Sequence, residues 1–409
     1  MANLSFERKR KIQIYLLAAL IILCCLILVA CNSDNSYSVA GDTVSEPTHF
    51  MAKFMLIINN SMGGGAVSFG WTVVVFTIVL RLILSPLDIW QKIIGRKNSK
   101  AMERMKPQLE ALQAKYGDDK QRMQQEQMAL YKKEHYSMMG MCLPTIITLV
   151  VFFVVFAGFR QMVGYQFAQD YKNSQMVYEK SLSVQIEEKY GDANGDGVVD
   201  LDDIVKDEDG AAFYAKAVET AQDAVYVAYY SSEQQGVRSW LWIKNIFVGD
   251  NWSKAVPDFT TVTGQSGFAN SRLAGITIDE YNSVMGKVIG TGGYGKGGSW
   301  NGLLILPVLS IVLSFLSQKL MSKSQGQPPV PAGDKNNSAA NASQQSMKMM
   351  QWLMPIMMGV FGLLYSGAFA LYMFTSSLTA ILFQLLFNVC GKLADNIRDN
   401  KSNPRIAKR

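Results

Sequence analysis

Five blocks of this chain are apolar over membrane-spanning lengths, and nothing else in it restricts the fold as strongly. They run Ile12–Ala30, Phe69–Ile89, Cys142–Phe159, Leu303–Leu316 and Trp352–Val389, the last interrupted at Tyr365-Ser366-Gly367. About 20 apolar residues in a helix cross the hydrocarbon core, and a longer block can hold a hairpin of two helices. With 49% hydrophobic and only 18% charged residues, the blocks, not the average hydropathy, decide the class: an all-α polytopic membrane protein.

The first block follows Arg8-Lys9-Arg10-Lys11 and ends in Leu28-Val29-Ala30-Cys31. A basic start, an apolar centre and small residues before a cysteine make residues 1–31 a signal peptide, with Cys31 as the lipidation site of the mature N-terminus. The competing reading is an uncleaved anchor. Segment 32–68 is then extracytoplasmic, and five spans follow at 69–90, 141–163, 301–320, 348–365 and 366–390. Basic residues fix the orientation. They crowd 91–140 and the tail 391–409, which are assigned to the cytoplasm, whereas 164–300 carries the acids and lies outside. The expected setting is a bacterial plasma membrane, with a lipid-anchored N-terminus outside and the C-terminus in the cytoplasm.

The cytoplasmic stretch 91–140 is rich in helix formers and breaks once, at Tyr116-Gly117-Asp118. Gly117 suits a helix end and Asp118 the next N-cap. Met102, Met105, Leu109 and Leu112 recur at helical spacing, and Met123, Leu130 and Tyr131 offer a facing stripe, so an antiparallel helical hairpin is expected. Pro107 should kink the first arm or start a new turn. The basic hairpin surface could meet anionic lipid, a ribosome or a nascent chain, or it could be a solvated helix pair with no partner.

The run "WTVVVFTIVLRLILSPLDIW" carries Arg81 midway between Trp71 and Trp90, which stand roughly 28 Å apart at about 1.5 Å per residue. An arginine at the centre of a span costs on the order of 2.5–3.5 kcal/mol on insertion scales, so it should face water or a partner rather than lipid. Asp88 lies two turns further on. An internal Arg–Asp bridge is therefore disfavoured, and Arg81 is expected in a hydrated groove without a permanent counter-ion. Thr148, Ser310, Ser314, Tyr372, Thr375, Ser376 and Ser377 are the polar residues available to line it, although each could be a simple helix–helix hydrogen bond.

These residues match a family. "GWTVVVFTIVLRLILSPLDIWQ", "YGDDKQRMQQEQMALYKKE", "CLPTIITLVVFF", "LPVLSIVLSFLSQKLM" and "MPIMMGVFGLLYSGAFALYMFTSSLTAILFQ" occur in series, and the chain resembles the YidC/Oxa/Alb class of membrane protein insertases, with a signal of the Gram-positive lipoprotein type. The resemblance implies a non-enzymatic insertase with a hydrophilic, cytoplasm-open groove that takes in nascent membrane proteins and releases their hydrophobic helices into the bilayer, alone or with the Sec translocon. In it Arg81, Thr148, Tyr372 and Ser376 would form the substrate groove. Thr148 stands where many relatives carry glutamine, and Tyr365-Ser366-Gly367 where they carry "FPSG". A small-solute or ion transporter is the alternative reading of a buried arginine, but no internal repeat supports it.

Between the second and third spans, where the family has a short loop, this chain has a mostly helical insert. "RSWLWIKNIFVGDNW" resembles the family's own loop, and the rest is added. The stretch "DANGDGVVDLDD" matches a calcium loop, with Asp192, Asn194, Asp196, the Val198 carbonyl, Asp200 and Asp203 at ligand positions and Gly197 at the tight turn. No cofactor is required by this reading; a structural calcium ion at 192–203 is the expected addition, against a plain acidic turn. Residues 321–347 read as a disordered cytoplasmic loop. Two histidines and scattered cysteines leave no zinc or nucleophile pattern, and no nucleic-acid motif is present.

Overall fold

A computed structural model of the chain describes residues 36–38, 43–64, 67–116, 119–134, 136, 138–191, 208–250, 255–264, 272–290, 300–324, 356 and 359–402. Among these, helices dominate. In chain order they are α1 (Phe50–Ser61), α2 (Phe69–Tyr116), α3 (Lys120–Lys133), α4 (Met138–Tyr190), α5 (Glu208–Tyr229), α6 (Ser232–Arg238), α7 (Phe259–Val262), α8 (Ile278–Gly290), α9 (Ile305–Ser324) and α10 (Gly367–Ser402). One departure from an all-helical reading is present. Two short strands, β1 (Ser36–Ser38) and β2 (Arg272–Ala274), pair in parallel with Tyr37 opposite Leu273, and both of those side chains are buried.

Among the described residues, three helical stretches are long and apolar enough to cross a membrane: Phe69–Met105, Ile147–Tyr190 and Gly367–Cys390. Ile305–Met321 is apolar but shorter. Most of the span expected at 348–365 falls outside the described residues, as do the signal segment, Cys31, the loop 192–203 and the stretch 325–355. Helix bounds differ from the expected spans because no strong breaker stands at their ends. Helix α2 continues for 48 residues through Pro86 and Pro107, so neither proline ends it. Similarly, α4 runs on past 163 to Tyr190 on helix-forming residues such as Gln166, Lys172, Met176 and Glu179.

The chain divides into two compact units. The first comprises Met1–Phe76, Phe152–Leu306 and Gly362–Leu371. An aromatic cluster of Phe76, Phe156, Phe159, Tyr365 and Phe369 packs edge to face within it, with ring centroids 4.3–6.1 Å apart. Tyr171 of α4 stacks on Tyr281 of α8. Burial drives the Tyr281 hydroxyl well above the ordinary tyrosine range, and that hydroxyl donates to the Pro257 carbonyl at 3.0 Å. Arg238 is 4% exposed and pairs with Asp170 at 3.4 Å, while also donating to the Tyr229 carbonyl. A buried guanidinium is tolerable only with such full satisfaction.

Helix α8 starts with a capping box: Thr277 N and Oγ1 donate to Glu280 Oε2 at 2.7 and 2.9 Å, and Glu280 N donates back to Thr277 Oγ1 at 3.2 Å. The Thr277 backbone N–H, then its hydroxyl, hold the Glu280 carboxylate below the usual glutamate range. A depressed acid stabilises the fold above its unfolded value and loses that contribution as pH falls through the folded value. Glu280→Gln should therefore lower the thermal midpoint at pH 7, and its difference from the parent protein should shrink as pH falls below the ordinary glutamate range, as read by thermal melts across pH.

In the same unit a buried polar network ties the loop 239–250 to the start of α9. Asn301 Nδ2 donates to the carbonyls of Asn245 and Gly249 at 2.7 and 3.0 Å and its Oδ1 accepts from Asn245 N at 2.8 Å. Asp250, fully buried, accepts from Leu304 N at 2.9 Å and Leu306 N at 3.0 Å. Leu303 and Leu304 have φ of 65° and 62°, a region that costs a branched side chain energy and persists only where neighbours dictate it. At Gly302, φ is 117° and a Cβ would lie only 3.0 Å from Asp250 Cγ, so no other residue fits.

The second unit comprises Thr77–Val151, Pro307–Phe361 and Tyr372–Arg409. Here Ala101 and Met105 of α2 pack on Leu130 and Tyr131 of α3, flanked by Met102, Leu109, Leu112 and Tyr136. Early residues of one arm thus face late residues of the other, and Arg104 Nε meets Glu134 Oε2 at 3.3 Å beside them. Asp119, not Asp118, caps α3, its side chain accepting from Arg122 N at 3.0 Å. The asparagine-like reach of Asp suits either position, and Gly117 and Asp118 lie outside the described residues. Apolar side chains stay exposed along α2 (Ile78, Leu82, Ile89), α9 (Val308, Val312, Leu316) and α10 (Leu378, Leu382, Leu385). Their spacings of three, four or seven residues keep them on one face of each helix as apolar stripes, the surface a membrane helix presents to lipid.

Candidate functional site

Arg81 stands on α2, and its surroundings in the second unit are polar on one side. Its Nε and Nη2 both donate to Ser376 Oγ, at 2.9 and 2.6 Å. Ser376 is buried on α10, and the buried Tyr372, one turn earlier, hydrogen-bonds the same serine side chain. Next to it, the hydroxyls of Ser377 on α10 and Ser314 on α9 lie 2.8 Å apart. Thr148, on α4, is half-buried in the same unit. Ser310 turns its hydroxyl back to the Pro307 carbonyl at 2.8 Å, which is local helix satisfaction. Of the expected groove residues, Arg81, Tyr372 and Ser376 are brought together.

The local sequence explains how α2 carries both an arginine and a proline here. Pro86 has no N–H to offer the Leu82 carbonyl, and the Ser85 hydroxyl donates to that carbonyl instead, at 2.8 Å. The helix therefore continues to Asp88. Asp88 Oδ2 lies 3.8 Å from Arg81 Nη1, with side-chain exposures of 28% and 23%. The expectation of an arginine without a resident counter-ion is corrected by this pair. Seven residues return to almost the same helix face about 10.5 Å along the axis, and a long guanidinium side chain shortens that gap. The axial distance alone made the bridge look out of reach.

The contact is loose. At 3.8 Å it exceeds hydrogen-bond length, so Asp88 supplies charge without a directed bond. The two short bonds from Arg81 go to a neutral hydroxyl, which orients the guanidinium without cancelling its charge. One and two turns beyond Asp88, Lys92 and Arg96 each sit over the Phe387 ring of α10, 4.9 and 4.8 Å from its centroid. Sequence reasoning weighed Asp88 as a partner of Arg81 and set it aside, and it missed the Lys92–Arg96 pair over Phe387. The four-residue spacing of Asp88, Lys92 and Arg96 was the available signal.

Trp71 and Trp90 are both substantially exposed, at 48% and 37%. Cys31 and the proposed calcium ligands Asp192, Asn194, Asp196, Val198, Asp200 and Asp203 lie outside the described residues. Among the described residues no group of three or more His, Cys, Asp and Glu is placed to hold a metal ion.

The model of the 60Kd inner membrane protein family matches residues 57–195 and 220–393, which include Arg81, Asp88, Tyr372 and Ser376. A protein named membrane protein insertase YidC from Alkalihalophilus pseudofirmus is 38% identical over 142 residues, 32% of this chain and 54% of that protein. Proteins of the same name from Stenotrophomonas maltophilia (strain K279a) and Xanthomonas campestris pv. campestris (strain 8004) are 39% and 40% identical over 89 residues, covering 22% of this chain and 15% of theirs. The chain thus spans about half the length of one of these relatives and a smaller share of the others. With a family model matching well over half of the sequence, on helices that bear a polar-faced arginine in an apolar span, the chain belongs to the 60Kd inner membrane protein family of YidC/Oxa-type insertases.

Proposed function

We propose that this protein inserts membrane proteins into the bacterial plasma membrane, using the cluster around Arg81 as the docking point for acidic segments of its clients. The observation that carries this reading is the Arg81 guanidinium, oriented by two hydrogen bonds to the neutral Ser376 and only loosely matched by Asp88 at 3.8 Å. A cation placed in an apolar helix and left with unspent hydrogen-bonding capacity attracts a carboxylate that arrives from outside. Tyr372 and Ser376 keep it in place, and Thr148, Ser314 and Ser377 supply further polar lining.

In this mechanism a client's polar tail enters the groove from the cytoplasm while its apolar helix remains against the exposed stripes of α2, α9 and α10. Transfer of that helix into lipid supplies the drive, at about 0.8 kcal/mol per buried CH₂. Arg81 lowers the cost of carrying the acidic tail across, so nucleotide hydrolysis is not needed. The antiparallel pair formed by α3 and the second half of α2 would receive nascent chains on the cytoplasmic side, from the ribosome or beside the Sec translocon. The mature N-terminus, lipid-anchored at Cys31, would lie outside and the basic tail inside.

The test is rescue. A bacterium depleted of its own insertase should grow when given this chain and should fail with Arg81→Ala. Growth without any need for Arg81 would remove the groove mechanism, and no growth with the unaltered chain would remove the insertase reading. The transporter alternative has no structural observation in its favour.

A further inference from the structure

Asp88 is not accounted for by the docking role given to Arg81, and its geometry is unusual for a counter-ion. The Nε and Nη2 edge of the guanidinium is committed to Ser376, while Nη1 points toward Asp88 at 3.8 Å. Both side chains are about a quarter exposed, so a ligand that reaches one reaches the other. On its far side Asp88 has a second cation. Lys92 follows one turn later on the same helix face and interacts electrostatically with it. The carboxylate therefore lies between two positive groups and is bonded directionally to neither.

We propose that Asp88 is a resident stand-in for the client's own carboxylate: it balances Arg81 loosely while the groove is empty, yields it to an incoming acid and turns to Lys92. This inference rests on the insertase reading above and deepens it by naming a specificity-determining residue. A resident carboxylate tethered to the same helix competes at a high effective concentration. A client tail with a single acidic residue competes poorly against it, whereas a tail with clustered acids presents several competitors at once. Asp88 thus sets a threshold that selects clients whose translocated tails are densely acidic.

The experiment uses the full chain reconstituted in liposomes and three single-span reporters whose translocated tails carry no, one or three aspartates. Asp88→Asn should raise insertion of the one-aspartate reporter roughly two- to fivefold, the range expected from releasing a weak ion pair, and change the three-aspartate reporter little. Asp88→Glu, whose longer side chain brings the carboxylate nearer Arg81, should lower the one-aspartate reporter by a similar factor. Opposite signs from the two variants are the signature, because a purely structural Asp88 would make both variants weaken all reporters together. That uniform loss, or an unchanged one-aspartate reporter, overturns the proposal. If Asp88→Asn does not accumulate, Asp88→Glu decides alone: unchanged or increased insertion of the one-aspartate reporter overturns it. Arg81→Ala separates the two readings. If it inserts both acidic reporters like the parent chain, the groove reading fails; if it does not, and the Asp88 variants behave like the parent chain, only the stand-in role fails.

Discussion

Arg81→Ala is expected to cut insertion of acidic-tailed clients by about tenfold or more while leaving a client with an uncharged tail within about twofold. The magnitude follows from the bonds that a bound carboxylate would lose: a hydrogen bond to a charged group contributes about 1.5–3 kcal/mol, and each 1.4 kcal/mol is tenfold. The substitution also takes both guanidinium donors from Ser376, leaving it with Tyr372, and leaves Asp88 facing only Lys92, so some loss of stability accompanies it. Arg81→Lys separates the effects. An ammonium keeps the charge but cannot hold Ser376 through two N–H groups at once, and it should retain an intermediate activity. Insertion measured in proteoliposomes for both variants, against their abundance in the membrane, checks this. Equal loss for acidic and uncharged tails would mean that Arg81 supports the fold rather than the client.

The largest stability effect is expected at Asp250. The two oxygens of its fully buried carboxylate accept from the part-buried Leu304 N and the buried Leu306 N, and Asp250→Ala removes both of these acceptors. An unsatisfied buried donor costs about 1–3 kcal/mol, so the pair amounts to about 2–6 kcal/mol. The left-handed backbone at Leu303 and Leu304 would lose what holds it, and the start of α9 would be released with it. Asp250→Asn keeps one acceptor oxygen and should lose about half as much. Burial, opposed by the Leu306 and Leu304 N–H groups, raises the Asp250 carboxyl above the usual aspartate range. A raised acid favours the fold at pH below its unfolded value and loses that contribution as pH rises through the folded value. Melting of the detergent-solubilised protein should accordingly show the gap between parent and Asp250→Ala narrowing at neutral pH relative to pH 4. A gap that does not change with pH would assign the whole effect to the two orphaned donors.

Local periodicity made one part of this molecule readable in advance. The stripe Met102, Met105, Leu109, Leu112 needs only helical spacing to be seen, and it packs on Leu130 and Tyr131 as that spacing requires. Arg81 was equally visible, because a charge in an apolar run stands out whatever the fold. Its partner Ser376 was one of several polar candidates, and only the packing of α2 on α10, 295 residues apart in sequence, selected it. Asp88 was visible but misjudged, since axial distance was weighed and side-chain reach was not. The Asp250 network was hidden for a different reason. It depends on two leucines with positive φ, and a leucine carries no mark in the sequence that it will adopt that backbone. The small β1–β2 pairing likewise joins segments far apart in the chain, and three residues are too few for an alternating pattern to register.

Because Arg81 and Met105 ride on one unbroken helix, the Arg81–Ser376 cluster and the base of the α2–α3 pair are locked in rotational phase. Every residue inserted between them would turn one against the other by about 100°, and only insertions close to a whole number of turns, such as about 7, 11 or 18 residues, would bring them back to the same face. The stretch 82–104 is therefore a ruler as well as a rod: its length can change only in such steps if the Arg81 cluster and the base of the pair are to keep their mutual phase.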